Sequence, residues 1–203
     1  MEDDENCHPV IVDTDALIAV ANTDLWERIV ETLQLTTTNV CYQELSRHVR
    51  ETAEHAPEGT RERRLHHGSK AALKPFDDDE TDSCTVVTCV PRPHGEDAGE
   101  TSLQTEIAQQ IDQYRFAILM DKHGRRSINR VFDEAETATG RAVAPTFLFY
   151  LLLEEDECTV EEFCEACGEI LRGEGWTGYQ AIQAAWKAIP VDCSQHLSSD
   201  LLS

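Results

Sequence analysis

Two short apolar runs in this chain each end in an aspartate. Residues 9–12 run into Asp13, and residues 116–120 run into Asp121. Two further carboxylates are placed to join them. Glu100 follows Gly99 where a helical pattern begins, with the glycine permitting a tight turn. Glu44 falls in the first turns of the helical segment after "NVCY". Four carboxylates around one crevice repel each other strongly away from bulk water. The arrangement is reasonable when divalent cations occupy the centre, and an all-oxygen set selects hard ions such as Mg²⁺ or Mn²⁺. Asp15 stays undecided between an extra ligand and a local cap. Each acid also has a purely structural role open to it. Asp13 and Asp121 sit where helix N-caps follow strands, Glu100 can complement a helix dipole, and Glu44 can lie on a solvated face. Asp13 and Asp15 also spell the DxD of a phosphoacceptor site, but Thr85, Thr88 and Lys122 complete that set poorly.

The elements that must position these acids alternate. A buried strand is expected over 9–13, followed by helical apolar positions Leu17, Ile18, Val20 and Ala21. Asn22-Thr23-Asp24 reads as the cap of a second helix, "TTTNVCY" as a short strand, and 42–55 as a helix. A short helix over 60–73, a strand over 84–90 and a helix opening at Gly99-Glu100 come next. The strand at 116–120, a helix over 123–137 and a strand around 141–145 complete the alternation. Helices over 146–154, 159–171 and 177–188 remain. Such alternation predicts an α/β domain with a parallel sheet, and in open parallel sheets ligands bind outside the carboxyl ends of the strands. Strand-end aspartates converge there.

These segments resemble a PIN domain. The opening "VIVDTDALIAVANTDLWERIVETLQLTTTNVCYQEL" is similar to the family's strand, Asp, Thr and Leu-Ile, with its later glutamate before Leu. "GETSLQTEIA" resembles the Gly-Glu that starts a helix in a prokaryotic branch, and "AILMDKHGRRSI" the strand, aspartate and Arg-Arg helix that follow. "TFLFYLLLE" resembles the helix after the last core strand. The resemblance implies a three-layer α/β/α sandwich around a central, mostly parallel sheet. It also implies a ribonuclease dependent on one or two Mg²⁺ or Mn²⁺ ions, held by Asp13, Glu44, Glu100 and Asp121. Toxin and RNA-processing roles are both open, with RNA, an antitoxin protein and a second copy of the chain as partners. A PIN fold that binds RNA or a partner without cutting is the alternative. Lys122 stands where many PIN domains carry a further acid or Asn, and Gly95-Glu96 offers a decoy for Gly99-Glu100. By this division residues 1–8 are an acidic tail, 9–155 the PIN-like domain, 156–190 a helical extension and 191–203 a flexible tail.

Composition sets the surroundings. The 203 residues carry 39 acids against 17 basic residues, a net charge of −22. A surface this acidic and poor in lysine is the habit of salt-loving archaea. No apolar run is long enough for a membrane span, and the acidic start is unlike a secretory signal, so a soluble, cytoplasmic protein is expected. An RNA partner needs local positive charge. Residues 47–74 hold seven basic residues, including Arg47, Arg63 and Arg64, against four acids. Residues 122–130 add Lys122, Arg125, Arg126 and Arg130 with no acid. The eight cysteines include one CxxC, Cys164 and Cys167, but nothing completes a zinc set; they are expected as small buried hydrophobes.

Overall fold

The computed structural model describes residues 9–52, 55–78, 82–95, 97–135 and 139–173. Five strands form one sheet: β1 (Val10–Val12), β2 (Leu35–Thr38), β3 (Cys84–Val87), β4 (Phe116–Ile118) and β5 (Arg141–Val143). Their order is β3-β2-β1-β4-β5, and every pairing is parallel. The sheet is therefore all-parallel, as a chain of helical crossovers requires.

Residue alternation explains why both faces are covered. Val10, Val12, Phe116, Ile118 and Val143 point into one apolar cluster, while Ile11, Ala117 and Ala142 point into a second on the opposite face. A sheet buried on both faces reads as continuous apolar strands. Helices α1 (Thr14–Ala21), α2 (Trp26–Thr32), α4 (Arg61–Asp77), α7 (Thr146–Glu154) and α8 (Val160–Gly173) supply the first cluster. Helices α5 (Ala98–Gln109) and α6 (Lys122–Glu134) supply the second through Leu103, Ile107, Ile128 and Phe132. Helix α3 (Asn39–Glu51) straddles them, with Leu45 in one cluster and Cys41 in the other. This is the three-layer α/β/α sandwich expected.

Several local expectations are corrected. Strand β2 stops at Thr38, because the Thr38 hydroxyl accepts from the Cys41 backbone and caps α3 there. Asn39, Val40 and Cys41 are thus the first turn of a helix, not the end of a strand. Asn22 and Thr23 do not cap α2, whose N-cap position is Leu25 with no side-chain cap. They close α1 instead, with Asn22 Nδ2 donating to the Ile18 carbonyl and the Thr23 hydroxyl to the Val20 carbonyl. Helix α4 runs past residue 73 to Asp77 and through Pro75. A proline there cannot donate to the carbonyl four residues back, and the Trp26 indole N–H donates to that Ala71 carbonyl at 3.2 Å. Strand β3 ends at Val87, ahead of the cis Val90–Pro91 bond. Cys164 and Cys167 are buried in the core on α8, and Cys164 is disulfide-bonded. The helix expected over 177–188 lies outside the described residues.

Candidate active site

The order of strands reverses direction between β1 and β4, since β1 leads to β2 on one side and β4 lies on the other. A cleft opens at the carboxyl ends of two strands that diverge in this way. The two strands are in register there, with Val12 opposite Ile118 and the Asp13 N–H donating to the Ile118 carbonyl at 3.0 Å. Asp13 and Asp121 therefore emerge side by side. A cavity of about 570 Å³ at this edge is lined by Asp13, Asp15, Glu44, Glu100 and Asp121, together with Asp97. Thr14, Arg47, His48 and His123 complete its polar lining. All four acids singled out by the sequence, and Asp15, thus share one cleft.

Both aspartates also cap helices. Asp13 Oδ1 accepts from the Ala16 backbone at 2.7 Å, and Asp121 Oδ2 accepts from the Gly124 backbone at 2.6 Å. Capping and cleft placement are not alternatives here. The cap bond fixes each carboxylate at the strand end, where it lines the cleft.

The two glutamates come from helices, and small residues make room for them. The buried Thr14 hydroxyl donates to Glu44 Oε2 at 2.7 Å, tying α3 to the first turn of α1. A Cβ on Gly99 would stand 2.9 Å from the same Glu44 oxygen. Gln104 Nε2 holds Glu100 Oε1 at 3.0 Å and reaches Ser127 Oγ on α6 at 2.6 Å. A Cβ on Gly124 would lie 3.0 Å from Glu100 Oε2. Glu100 stands in the first turn of α5, which opens at Ala98.

The electrostatics of the cleft are those of a crowded acidic site. Burial, with Asp15 adding to it, pushes the Asp13 carboxyl up to about 8; hydrogen bonds from the Ala16 and Met120 backbone and the nearby Arg125 charge oppose the shift. Burial also raises Glu100, reinforced by Asp121 and Asp97, with His123 pulling it down. The donor set is all oxygen, and a cation would relieve its repulsion. In chemistry it fits a hard divalent ion. The carboxylates nonetheless stand apart, each held by its own hydrogen bond. Among the described residues no three of His, Cys, Asp or Glu are gathered tightly enough to form a preassembled metal cluster.

The basic residues divide. Arg47 lines the cleft, and Lys122, Arg126 and Arg130 are exposed on α6. Arg125 turns inward, its Nη1 donating to the Leu119 and Met120 carbonyls at 2.7 and 2.6 Å. Arg63 is half-buried, and Arg64 donates to the Gly173 carbonyl across on α8. Sequence reasoning missed Asp97, His48, His123 and the positioning residues Thr14 and Gln104. Thr14 had a signal, since it sits inside Asp-Thr-Asp; Gln104 had none beyond lying one helical turn after Glu100.

This is the architecture of a nuclease-type PIN fold, with its acids at the carboxyl edge of a parallel sheet. The chain belongs to the halobacterial PIN domain family, whose model matches residues 1–203. No curated protein matches the chain, and no solved structure does. Among the described residues no helix is long and apolar enough to cross a membrane.

Proposed function

We propose that the chain is a metal-dependent endoribonuclease of toxin or RNA-processing type. The observation that carries this reading is the convergence of Asp13, Glu44, Glu100 and Asp121 on one cleft at the sheet's switch point. Asp13 and Asp121 would hold a first Mg²⁺ or Mn²⁺, Glu44 and Glu100 a second, with Asp15 at the margin. When bound, such ions neutralise charge on a phosphodiester and acidify water, which is what in-line hydrolysis needs. The chain's own part is positional. Thr14 fixes Glu44, Gln104 fixes Glu100, and the helix caps fix the two aspartates. Arg47 and the exposed Lys122, Arg126 and Arg130 would meet phosphates despite the net charge of −22. An RNA substrate implies work in the cytoplasm, with an antitoxin protein or a second copy of the chain as further partners.

The test is cleavage of RNA with Mn²⁺ by the wild type and by Asp13→Asn, Asp121→Asn and the double variant. Loss of cleavage with an unchanged circular dichroism spectrum is expected. Full activity in the double variant would sink the reading. A second reading, RNA or partner binding without cutting, draws support from Lys122 beside Asp121 and from the acids' separate hydrogen bonds. RNA affinity without cleavage under any divalent ion would favour it.

A further inference from the structure

The acidic cleft does not end at Glu44. Glu44 and Arg47 also line a second, adjoining cavity of about 490 Å³ between α3 and the loop before α5. The rest of its polar wall is basic or neutral. Arg50 comes from α3, and Arg92 and His94 come from the loop between β3 and α5. Glu44 is the sole acid among the described residues that line it. In a chain with 39 acids and 17 basic residues, three arginines and a histidine around one hollow are a pronounced local reversal of charge. Arg47, Arg50, Arg92 and His94 are all exposed. The loop is tied to the helix where they meet, with Arg92 donating to Gln43 and the Cys89 N–H donating to Asn39 Oδ1 at 3.2 Å.

The opposite flank is different. There Asp15 leads into a cavity lined by Arg61, Arg64 and Arg172, but the carboxylate of Glu169 shares it and Arg64 is committed to Gly173. On the α3 flank Glu44 is the one acid among the described residues lining the hollow, and Arg47 also pairs with Glu51 on its own helix at 3.9 Å, which leaves Arg50 and Arg92 as the arginines facing it.

We infer that this hollow is a phosphate subsite for the strand that enters the acidic cleft. A single-stranded RNA lying with one phosphodiester among the acids would carry a neighbouring phosphate over Arg50 and Arg92. The guanidinium fork grips phosphate oxygens two at a time, which a lysine cannot do. Arg47, common to both cavities, lies between the two positions. The inference rests on the nuclease reading above and adds the direction in which the substrate strand leaves the site.

The experiment measures binding of a single-stranded RNA oligonucleotide to the full chain in chelator, across a range of KCl concentrations. The variants are Arg50→Gln with Arg92→Gln, Arg92→Lys, and Arg61→Gln on the other flank. All these side chains are exposed, and melting curves verify that the variants fold. The double variant is expected to bind at least tenfold more weakly. Its slope of log affinity against log salt should be shallower by about 0.7 for each phosphate that it no longer neutralises. Arg92→Lys should weaken binding while keeping the slope, and Arg61→Gln should leave both unchanged. Wild-type affinity and slope in the double variant, from a protein that binds and cuts RNA, would overturn the subsite and leave the nuclease reading standing. A wild type that cuts RNA with Mn²⁺ but does not bind it in chelator would overturn the subsite alone, and one that does neither would overturn both.

Discussion

Thr14 Oγ1 donates to Glu44 Oε2 across 2.7 Å, joining the residue after the first strand-end aspartate to an acid thirty positions away on α3. The threonine is buried and the glutamate half-exposed in the cleft, so the bond sets the direction of the carboxylate. Thr14→Val keeps the shape and removes the donor. Its expected cost is about 1 kcal/mol of stability and a fall of at least tenfold in RNA cleavage. Thermal melts and a cleavage time course check both; an unaltered rate would mean that Glu44 is positioned by something else.

Gly124 is the space that Glu100 occupies. A methyl group there would lie 3.0 Å from Glu100 Oε2 and 3.1 Å from Leu119 Cδ2. Gly124→Ala should gain up to about 1 kcal/mol from helix propensity, set against this crowding. Stability should therefore move little while Mn²⁺ affinity falls severalfold. Calorimetric titration with Mn²⁺ beside a melting curve separates the two effects, and equal metal affinity in both proteins would contradict the packing argument.

The pH dependence follows from Asp13. Burial, its largest influence, lifts the folded carboxyl to about 8, whereas the unfolded chain titrates near the ordinary aspartate value of 3.8. Between those values the folded state holds a proton that the unfolded state has released. Stability from this group is therefore present at low pH and declines as pH rises toward 8, by at most about 1.4 kcal/mol per pH unit. In chelator, Asp13→Asn should gain on the wild type as pH rises from about 5 to 8, and Mn²⁺ should cancel the wild-type decline. Parallel stability curves for the two proteins would show that Asp13 is ionised throughout.

Arg125 and Arg126 are neighbours in sequence with different tasks. Arg125 donates to two carbonyls at the end of β4 and lies near Asp13 and Asp121; burial lowers its pKa, opposed by those two charges. Losing a charged donor of this kind costs about 2 kcal/mol, a drop of roughly 4–8 °C in melting temperature for a chain of this size. Arg126 is exposed, so Arg126→Gln should stay within about 0.5 kcal/mol of wild type and weaken RNA binding alone. Matching melting temperatures for Arg125→Gln and Arg126→Gln would refute the distinction.

The acids are legible in the sequence because their signal is local. A short apolar run that stops at an aspartate reads directly as a strand end, and Asp13 and Asp121 both do so. Glu44 can be placed on its helix even though the strand before it reads on past Thr38. The β-branched run "TTTNV" hides a cap, and only the Thr38 hydroxyl on the Cys41 N–H marks the boundary. Arg125 reads with Arg126 as one basic patch, because composition does not tell which way a side chain turns.

From sequence alone come the alternation of elements, the parallel sheet and the strand-end positions of Asp13 and Asp121, since each depends on spacing along the chain. The tertiary structure decided what depends on elements meeting. It brought Thr14 against Glu44, Gln104 between Glu100 and Ser127, and Trp26 onto the carbonyl that Pro75 leaves unpaired. It also put Arg92 and His94, from a loop with no periodic pattern, beside Arg50 on α3. Such neighbours are set by the packing of helices on a parallel sheet, and no local pattern records them.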